Sequence, residues 1–439
     1  MIMEIPFWDK SIETIDRSEL EKLQLAGLKR QVENALKTTF YKNKLLKEGI
    51  IGGSSIKSLD DLRRLPFTTK SDLREAYPFG LMSVNKEDVV RIHASSGTTG
   101  TPTIIYQTQK DVSMAADTMA RSLVAAGCTK NDICQNMMTY GLFTGGMCFH
   151  YGAERLGMTV IPTSSGNTIR QIKFMHDFGT TVTHATPSYL LHLHQAIEDS
   201  EYNRKDFKWR LAVTGAEPHS EELRCKIQDK LGIEVYNCYG MSELNGPGVA
   251  FECIFRKGMH IWEDRYIIEI IDPVTLEPVP EGEVGELVVT ILHRDAMPLL
   301  RYRTRDLTRI IPEPCPCGRT HRRLARFTGR SDDMLIINGV NVFPSQIEEV
   351  LLKVNGVGAN YLIVVEKQGD LDRLTVQTEV TPEMFTDDTR PLNALKERLK
   401  AEMSALITIN PVIELKESGS MPVSEGKAKR VDDRRPKDF

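Results

Sequence analysis

The sequence predicts an α/β protein. A large N-terminal domain is built around a mostly parallel sheet, followed by a β-rich subdomain and a small α+β module at the C-terminal end. Three observations carry this. From Val89, short apolar runs that end in small residues alternate with helical-looking stretches. From Tyr266 the texture becomes β-rich around a Pro/Gly/Glu turn. After Gly329, strand and helix patterns follow one another closely.

The chain has 439 residues, enough for two or three domains and a large core. Apolar residues make up 41% and charged residues 26%, as in ordinary globular proteins. A net charge of −4 gives no global basic field for nucleic acid. No apolar run approaches the roughly 18 residues of a membrane span. The start, "MIMEIPFWDKSIETI", is acidic and broken, unlike a signal peptide. Cys128, Cys134, Cys148, Cys225 and Cys238 are scattered singly, which suits reduced, packed thiols in a cytoplasmic protein.

The elements follow in order. Leu28, Val32 and Leu36 recur at spacing four, so Ser18 to Lys37 reads as an amphipathic helix. The runs "VVRIHASS", "ICQNMMTY", "TVIPTSS", "TVTHATP", "RLAVTGAE" and "EVYNCYG" read as strands. "SMAADTMARSLVAAG" and "SEELRCKIQDKLG" read as helices between them. In such sheets ligands sit at the carboxyl ends of the strands. "YIIEIIDPVTLEPVPEGEVGELVVTIL" reads as a hairpin. The module boundary falls near Ser331 or Asp332, giving domains 1–331 and 332–439. Beyond it come a helix beginning near Pro344, two strands in "NYLIVVEKQGDLDRLTVQTEV", a helix in "PLNALKERLKAEMSAL" and a strand in "PVIELKES".

"SSGTTGTPT", Ser95 to Thr103, is either a surface turn or a cradle for an anion. Gly97 and Gly100 permit close backbone approach, and the surrounding hydroxyls and N–H groups can donate to phosphate oxygens. It is not a Walker A loop, because no Lys-Ser/Thr pair follows the second glycine, and no GxGxxG is present. Further motifs follow in order: "TGAEP", "YNCYGMSE", "RYRTRDL", "FTGRSDDMLIINGVNVFP" and "MPVSEGKAKR".

With these residues in view, the chain resembles the adenylate-forming acyl-CoA synthetases over nearly its whole length. "YGLFTGG" and "INGVNVFPSQIE" resemble the aryl-acetate branch of that family. The resemblance implies the adenylate-forming fold, with a small C-terminal domain that turns about Asp332. It also implies a two-step ligation of phenylacetate or a related aryl acid to coenzyme A. ATP and Mg²⁺ serve the first step, and AMP and pyrophosphate are released. By the same resemblance Ser95, Ser96, Gly97, Thr98, Thr99 and Gly100 hold the triphosphate, and Glu243 is the Mg²⁺ ligand. Asp306 accepts the ribose hydroxyls, with an ion pair to its neighbouring arginines as the structural alternative. Arg330 supports ribose and phosphate, and Arg326 is a second candidate.

The nucleotide wall falls to Ala216, Glu217, Pro218, Asn237, Tyr239, Gly240, Met241 and Ser242, with Tyr239 stacking on the base. Lys427 bridges carboxylate and α-phosphate during adenylation. Gly339 lies near the CoA channel. A homodimer is implied as well. One departure stands out: many family members carry a lysine where this chain has Thr103, so the phosphate loop is neutral and other cations must serve the pyrophosphate.

"TYGLFTGG" sets Tyr140 and Phe143 among Gly141, Gly145 and Gly146, as a flat aryl group would need. Gly215, Ala216 and Pro247 complete that pocket by resemblance. Ordinary packing of a Gly-rich turn is the alternative. Separately, Cys253, His260, Cys315 and Cys317 make a closed set for structural zinc, with His321 an alternative fourth ligand and free thiols the alternative reading. Two other functions fit the same residues: an adenylyltransferase resembling the coenzyme F390 synthetases, and a nucleotide-binding protein without turnover.

Overall fold

The computed structural model describes residues 5–95, 101–217, 219–369, 371–384, 389–421 and 430–435. The chain divides into two compact units, one of residues 1–216 with 227–326 and one of residues 217–226 with 327–439. The expected boundary at Ser331 or Asp332 lies a few residues inside the second unit.

In the first unit, a short α1 (Lys10–Glu13) precedes α2 (Arg17–Leu36), the helix the apolar spacing predicts. Its buried face carries Leu20, Leu28 and Val32, and it also carries Gln24 and Gln31. These amides are tolerated because they donate to the backbone carbonyls of Glu263 (2.9 Å) and Arg294 (3.0 Å). Gly27 lets the helix approach Leu292, whose Cβ would stand 3.0 Å from an added Cβ. α3 (Thr39–Lys47) and α4 (Lys70–Glu75) follow, the latter opened by a Thr69/Asp72 capping box.

β1 (Val89–Ser95) pairs antiparallel with β2 (Thr103–Thr108), and the two form their own sheet. This departs from the expectation that "VVRIHASS" belongs to the parallel sheet. A strand that returns after a short loop pairs antiparallel, whereas parallel pairing requires a long crossover.

The crossovers come next: α5 (Gln109–Ala125), β3 (Ile133–Asn136), α6 (Thr144–Leu156), β4 (Thr159–Ile161), α7 (Thr168–Asp177), β5 (Val182–Ala185), α8 (Pro187–Glu198), β6 (Leu211–Thr214), α9 (Glu221–Leu231) and β7 (Glu234–Met241). Strands in the order β4-β3-β5-β6-β7 are parallel. The sheet then continues antiparallel through β8 (Gly246–Glu252), β9 (Met259–Ile261) and, beyond them, β14 (Arg323–Leu324) and β13 (Ile310–Ile311). The change of sense has a local cause. Only the short turn Ser242–Leu244 and Asn245 separate β7 from β8, too little chain for a crossover. α5 and α6 pack closely because position 152 is glycine: a Cβ there would meet the Met119 side chain at 2.2 Å.

β10 (Tyr266–Ile271) and β11 (Gly285–Ile291) form the expected hairpin, and β12 (Tyr302–Thr308) extends it antiparallel. No helix among the described residues is long and apolar enough to cross a membrane. Of the singly scattered thiols, Cys128, Cys134, Cys148 and Cys238 are buried, but Cys225 is exposed. Burial pushes Cys128, Cys148 and Cys238 up to about 12.

The second unit holds the two-residue β15 (Gly329–Arg330) and a hairpin of β16 (Leu335–Ile337) with β17 (Val340–Val342). That hairpin turns on Asn338 (φ 50°) and Gly339 (φ 83°), the residue types such a turn demands. α10 (Pro344–Lys353), β18 (Val357–Gln368), β19 (Leu371–Val380), α11 (Arg390–Ile407), β20 (Val412–Lys416) and β21 (Val431–Asp433) complete it. β18 and β19 are antiparallel at the centre, and β20 and β21 add parallel at the edges. α11 buries Leu395, Leu399, Met403 and Ile407, one stripe at spacing four, in the core of this unit.

Candidate functional site

The chain leaves β3 for β4 on one side and returns to β5 on the other. The carboxyl ends of these parallel strands are therefore the place for a ligand. The loops after β3, β6 and β7 carry Tyr140, Gly141 and Phe143, Gly215 and Ala216, and Ser242 and Glu243.

Glu243 lies in the turn after β7 and is 3% exposed. One of its oxygens, Oε1, accepts from the hydroxyls of Ser95 (3.1 Å) at the end of β1 and Thr103 (3.2 Å) at the start of β2. The Ser95 and Thr103 hydroxyls also lie within hydrogen-bonding reach of one another, so two protons are shared among the three oxygens. Both ends of the Ser/Thr/Gly loop are thus pinned to one carboxylate. Ser96, Gly97, Thr98, Thr99 and Gly100 lie outside the described residues. Beneath, the Arg294 guanidinium donates to the Glu243 backbone carbonyl at 2.7 Å. Above, Lys70 Nζ stands 3.6 Å from Glu243 Oε1. Lys70 was missed in the sequence. Nothing in "TTKSDL" distinguishes it there.

On β7 the Tyr239 hydroxyl donates to Asp306 Oδ2 at 2.7 Å. The arginines around Asp306 take other carboxylates: Arg301 pairs with Glu269, and Arg303 with Glu286, both at 2.8 Å. Asn237 donates its backbone N–H to Glu252 (2.8 Å), and Arg326 approaches the same carboxylate at 3.6 Å. At the end of β6, a Cβ on Gly215 would meet Cys238 Sγ at 2.8 Å, so only glycine allows β7 to pass so close. Ala216 follows with φ 67°, a left-handed backbone at the strand end. Gly240 meets the same constraint, since an added Cβ would stand 2.1 Å from the Gly246 carbonyl oxygen. Glu217 belongs to the second unit, and Pro218 lies outside the described residues.

The loop after β3 is held by a directed chain of hydrogen bonds. Buried His184 donates from Nδ1 to Asn136 Oδ1 (3.0 Å). Asn136 Nδ2 donates to the Tyr140 hydroxyl (2.7 Å) and to the Gly146 carbonyl (2.8 Å). The Tyr140 hydroxyl hydrogen-bonds His150 Nδ1 (3.1 Å), whose Nε2 faces Glu154 (3.0 Å). Burial pushes the Tyr140 phenol well up and His184 down to about 3, so both stay neutral near pH 7. Tyr140 is therefore held in place as a neutral phenol. Thr144 and Ser242 join at 3.1 Å, tying this loop to the turn that bears Glu243. Phe143 is 45% exposed at the start of α6, and the Pro247 carbonyl accepts from the Cys148 thiol at 3.7 Å.

A separate cluster joins the ends of β8 and β9 to the loop before β14. The ligating atoms of Cys253, His260, Cys315 and Cys317 all lie within 4.8 Å of one another, and all four residues are buried. His260 donates from Nδ1 to the His321 carbonyl (3.1 Å), which turns Nε2 toward Cys317 Sγ (3.3 Å). That backbone bond fixes the ring as metal-bound imidazoles are fixed. Hydrogen bonding from Cys253 holds Cys317 well below the ordinary thiol range. The His321 ring nitrogens are directed elsewhere. Nδ1 accepts from the Glu263 N–H (2.8 Å), and Nε2 faces the Ile12 carbonyl (2.9 Å).

In the second unit, Arg330 makes a bidentate pair with Asp332, at 2.8 and 3.0 Å. Gly339 occupies the turn of the β16–β17 hairpin, with open space around its Cα. Lys427 lies outside the described residues. A cavity of about 660 Å³ in the first unit, lined by Trp8, Arg30, Arg121, Asp264, Arg265 and His293 among others, is not at the strand ends. Its Arg121 is spent on Asp264, at 2.6 and 3.1 Å.

Residues 25–291 match the model of the AMP-binding enzymes, and residues 339–435 that of the AMP-binding enzyme C-terminal domain. The phenylacetate-coenzyme A ligase of Thermus thermophilus is 44% identical over 98% of this chain and 99% of its own length. That of Escherichia coli is 43% identical, covering 97% of both. The crystal structure of a 2-hydroxyisobutyryl-CoA ligase in complex with 2-HIB-AMP superposes with a TM-score of 0.91 at 27% identity. That match covers 97% of this chain and 92% of the other.

Proposed function

The chain belongs to the AMP-binding enzymes and, within them, to the phenylacetate–CoA ligases, and from that membership we propose which of its residues perform each step. The reaction is ATP-dependent ligation of an aryl acid to coenzyme A through an acyl-adenylate. In the first step a carboxylate oxygen attacks the α-phosphorus of ATP. The bond to the β-phosphate breaks, and pyrophosphate leaves with the electron pair. In the second, the CoA sulfur attacks the activated carbonyl, its proton is lost, and AMP departs. Both steps are matters of positioning and charge neutralisation.

The observation that carries the assignment of residues is the gathering of Ser95, Thr103 and Glu243 around one carboxylate oxygen. Glu243 offers a hard oxygen donor and Ser95 a hydroxyl, a set that fits Mg²⁺. Mg²⁺ bound there would screen the phosphates. The two hydroxyls hold the ends of the phosphate loop. Asp306, oriented by Tyr239, accepts the ribose hydroxyls. Gly215 and Ala216 keep the end of β6 open beside the nucleotide, and Tyr140, Gly141, Phe143 and Pro247 receive the aryl ring. Asp332 is the hinge of the small domain, and Lys427 the adenylation lysine. Cys253, His260, Cys315 and Cys317 hold a structural zinc, because four protein ligands leave no open position for chemistry.

The test is pyrophosphate release from ATP across a panel of aryl acids, with and without CoA. Release that depends on phenylacetate, with free AMP and a thioester on adding CoA, is the expected result. AMP retained on the product would point to an adenylyltransferase instead. Lys427→Ala should lower pyrophosphate release by about a hundredfold or more. It should leave thioester formation from supplied phenylacetyl-adenylate largely intact, and equal loss of both steps would remove Lys427 from its role.

A further inference from the structure

We propose that Lys70 is a phosphate-binding cation of the adenylation step, supplying from outside the loop the positive charge that "SSGTTGTPT" lacks. The proposal rests on the adenylation reading above.

The loop from Ser95 to Thr103 contains no lysine or arginine. As the bond to the α-phosphorus breaks, negative charge grows on the departing pyrophosphate, and a fixed cation stabilises it most where water is scarce. Lys70 stands beside the carboxylate that holds Ser95 and Thr103, the two ends of that loop. Its Nζ is 3.6 Å from Glu243 Oε1, the same oxygen that receives the hydroxyls of Ser95 and Thr103. The two charged groups differ in depth. The Glu243 side chain is 4% exposed and the Lys70 side chain 43%, so the carboxylate is the floor and the ammonium the mouth.

The backbone under Lys70 is anchored. Thr68 donates its N–H to the Arg301 carbonyl (3.1 Å) and its hydroxyl to the Leu300 carbonyl (2.7 Å). The Thr69/Asp72 capping box then fixes the start of α4, and Asp72 is claimed by Lys44 at 2.8 Å. The ammonium is not locked onto Glu243, since 3.6 Å exceeds the length of a charge-assisted N–H···O bond. An ammonium carries three donors, so Lys70 can turn to phosphate oxygens once a cation occupies Glu243. Arg294 cannot play this part, being fully buried beneath Glu243 and directed at its backbone.

A partly exposed ion pair contributes little to stability, so removal of Lys70 leaves the fold intact. The experiment compares Lys70→Ala, Lys70→Arg and the double variant Lys70→Ala/Thr103→Lys with the parent chain. Equilibrium binding of Mg-ATP and of AMP is measured without acid, alongside pyrophosphate release and thioester formation from supplied phenylacetyl-adenylate.

Lys70→Ala should weaken ATP binding by about tenfold, as one lost charge contact would, and leave AMP binding unchanged. Pyrophosphate release should fall by about a hundredfold, with the thioester step and the melting temperature unaltered. Lys70→Arg, and a lysine moved into the loop at position 103, should each restore part of the loss. Unchanged ATP binding, or equal weakening of ATP and AMP, would overturn the proposal. Failure of the parent chain to release pyrophosphate with any aryl acid would instead count against the adenylation reading. In that case the ATP-against-AMP comparison still decides the role of Lys70.

Discussion

Glu243→Gln is expected to lower the kcat/KM for ATP by about a hundred- to a thousandfold, the range for losing a preorganised charge at a reacting centre. The fold should not suffer. Glutamine keeps a carbonyl oxygen where Ser95 and Thr103 donate, and the backbone contact from Arg294 is untouched. What is lost is the negative charge that a Mg²⁺ ligand needs. The variant should therefore need more Mg²⁺ for half-maximal rate, and its melting temperature should stay near that of the parent. Glu243→Ala removes both functions. It leaves the two hydroxyls without their acceptor in a buried site, so it should lose stability as well. If Glu243→Gln retains full activity at ordinary Mg²⁺, Glu243 only tethers the loop. If activity and melting temperature fall together in the glutamine variant, its role is in the fold.

The purified chain should carry about one zinc ion, and Cys315→Ser with Cys317→Ser should abolish it. The expected loss of stability exceeds about 4 kcal/mol, the range reached when a metal site is removed. The reason lies in what the ligand-bearing loop holds. Two residues after Cys317, Arg319 makes a fully buried pair with Glu13 at 2.6 Å and donates to the Pro6 carbonyl, also at 2.6 Å. Thr320 donates its N–H to the Glu13 carbonyl (3.1 Å) and its hydroxyl to the Ile15 carbonyl (2.7 Å). Releasing the metal should therefore release the segment before α2. Limited proteolysis should cut there in the double variant or after chelation, and not in the parent. A metal-free parent with the same melting temperature as the variant would refute the zinc.

Much of this was legible in the sequence because the signals are local. Spacing four at Leu28, Val32 and Leu36 locates α2, and the run ending in "YNCYGMSE" locates β7 and the carboxylate beyond it. The close spacing of Cys315 and Cys317, with Cys253 and His260 elsewhere, marks the thiols and imidazole that the structure brings together. Other features were not legible. Gln24 and Gln31 break the apolar stripe of α2, and only the carbonyls of Glu263 and Arg294 explain them.

By itself the sequence determined the alternation of strands and helices after Val89, the loops that carry hydroxyls and carboxylates, and the kind of chemistry those residue types can do. Only the tertiary structure decided that β1 and β2 stand apart from the main sheet and that half of that sheet is antiparallel. It also gave His260 to the thiols and His321 to the N-terminal segment, and it set Lys70 beside Glu243. The physical reason is the same in each case. Periodicity and turn chemistry report how a residue sits relative to its own backbone. Which distant group satisfies a buried charge or ring nitrogen depends on desolvation and hydrogen-bond geometry, which exist only once the chain has closed on itself.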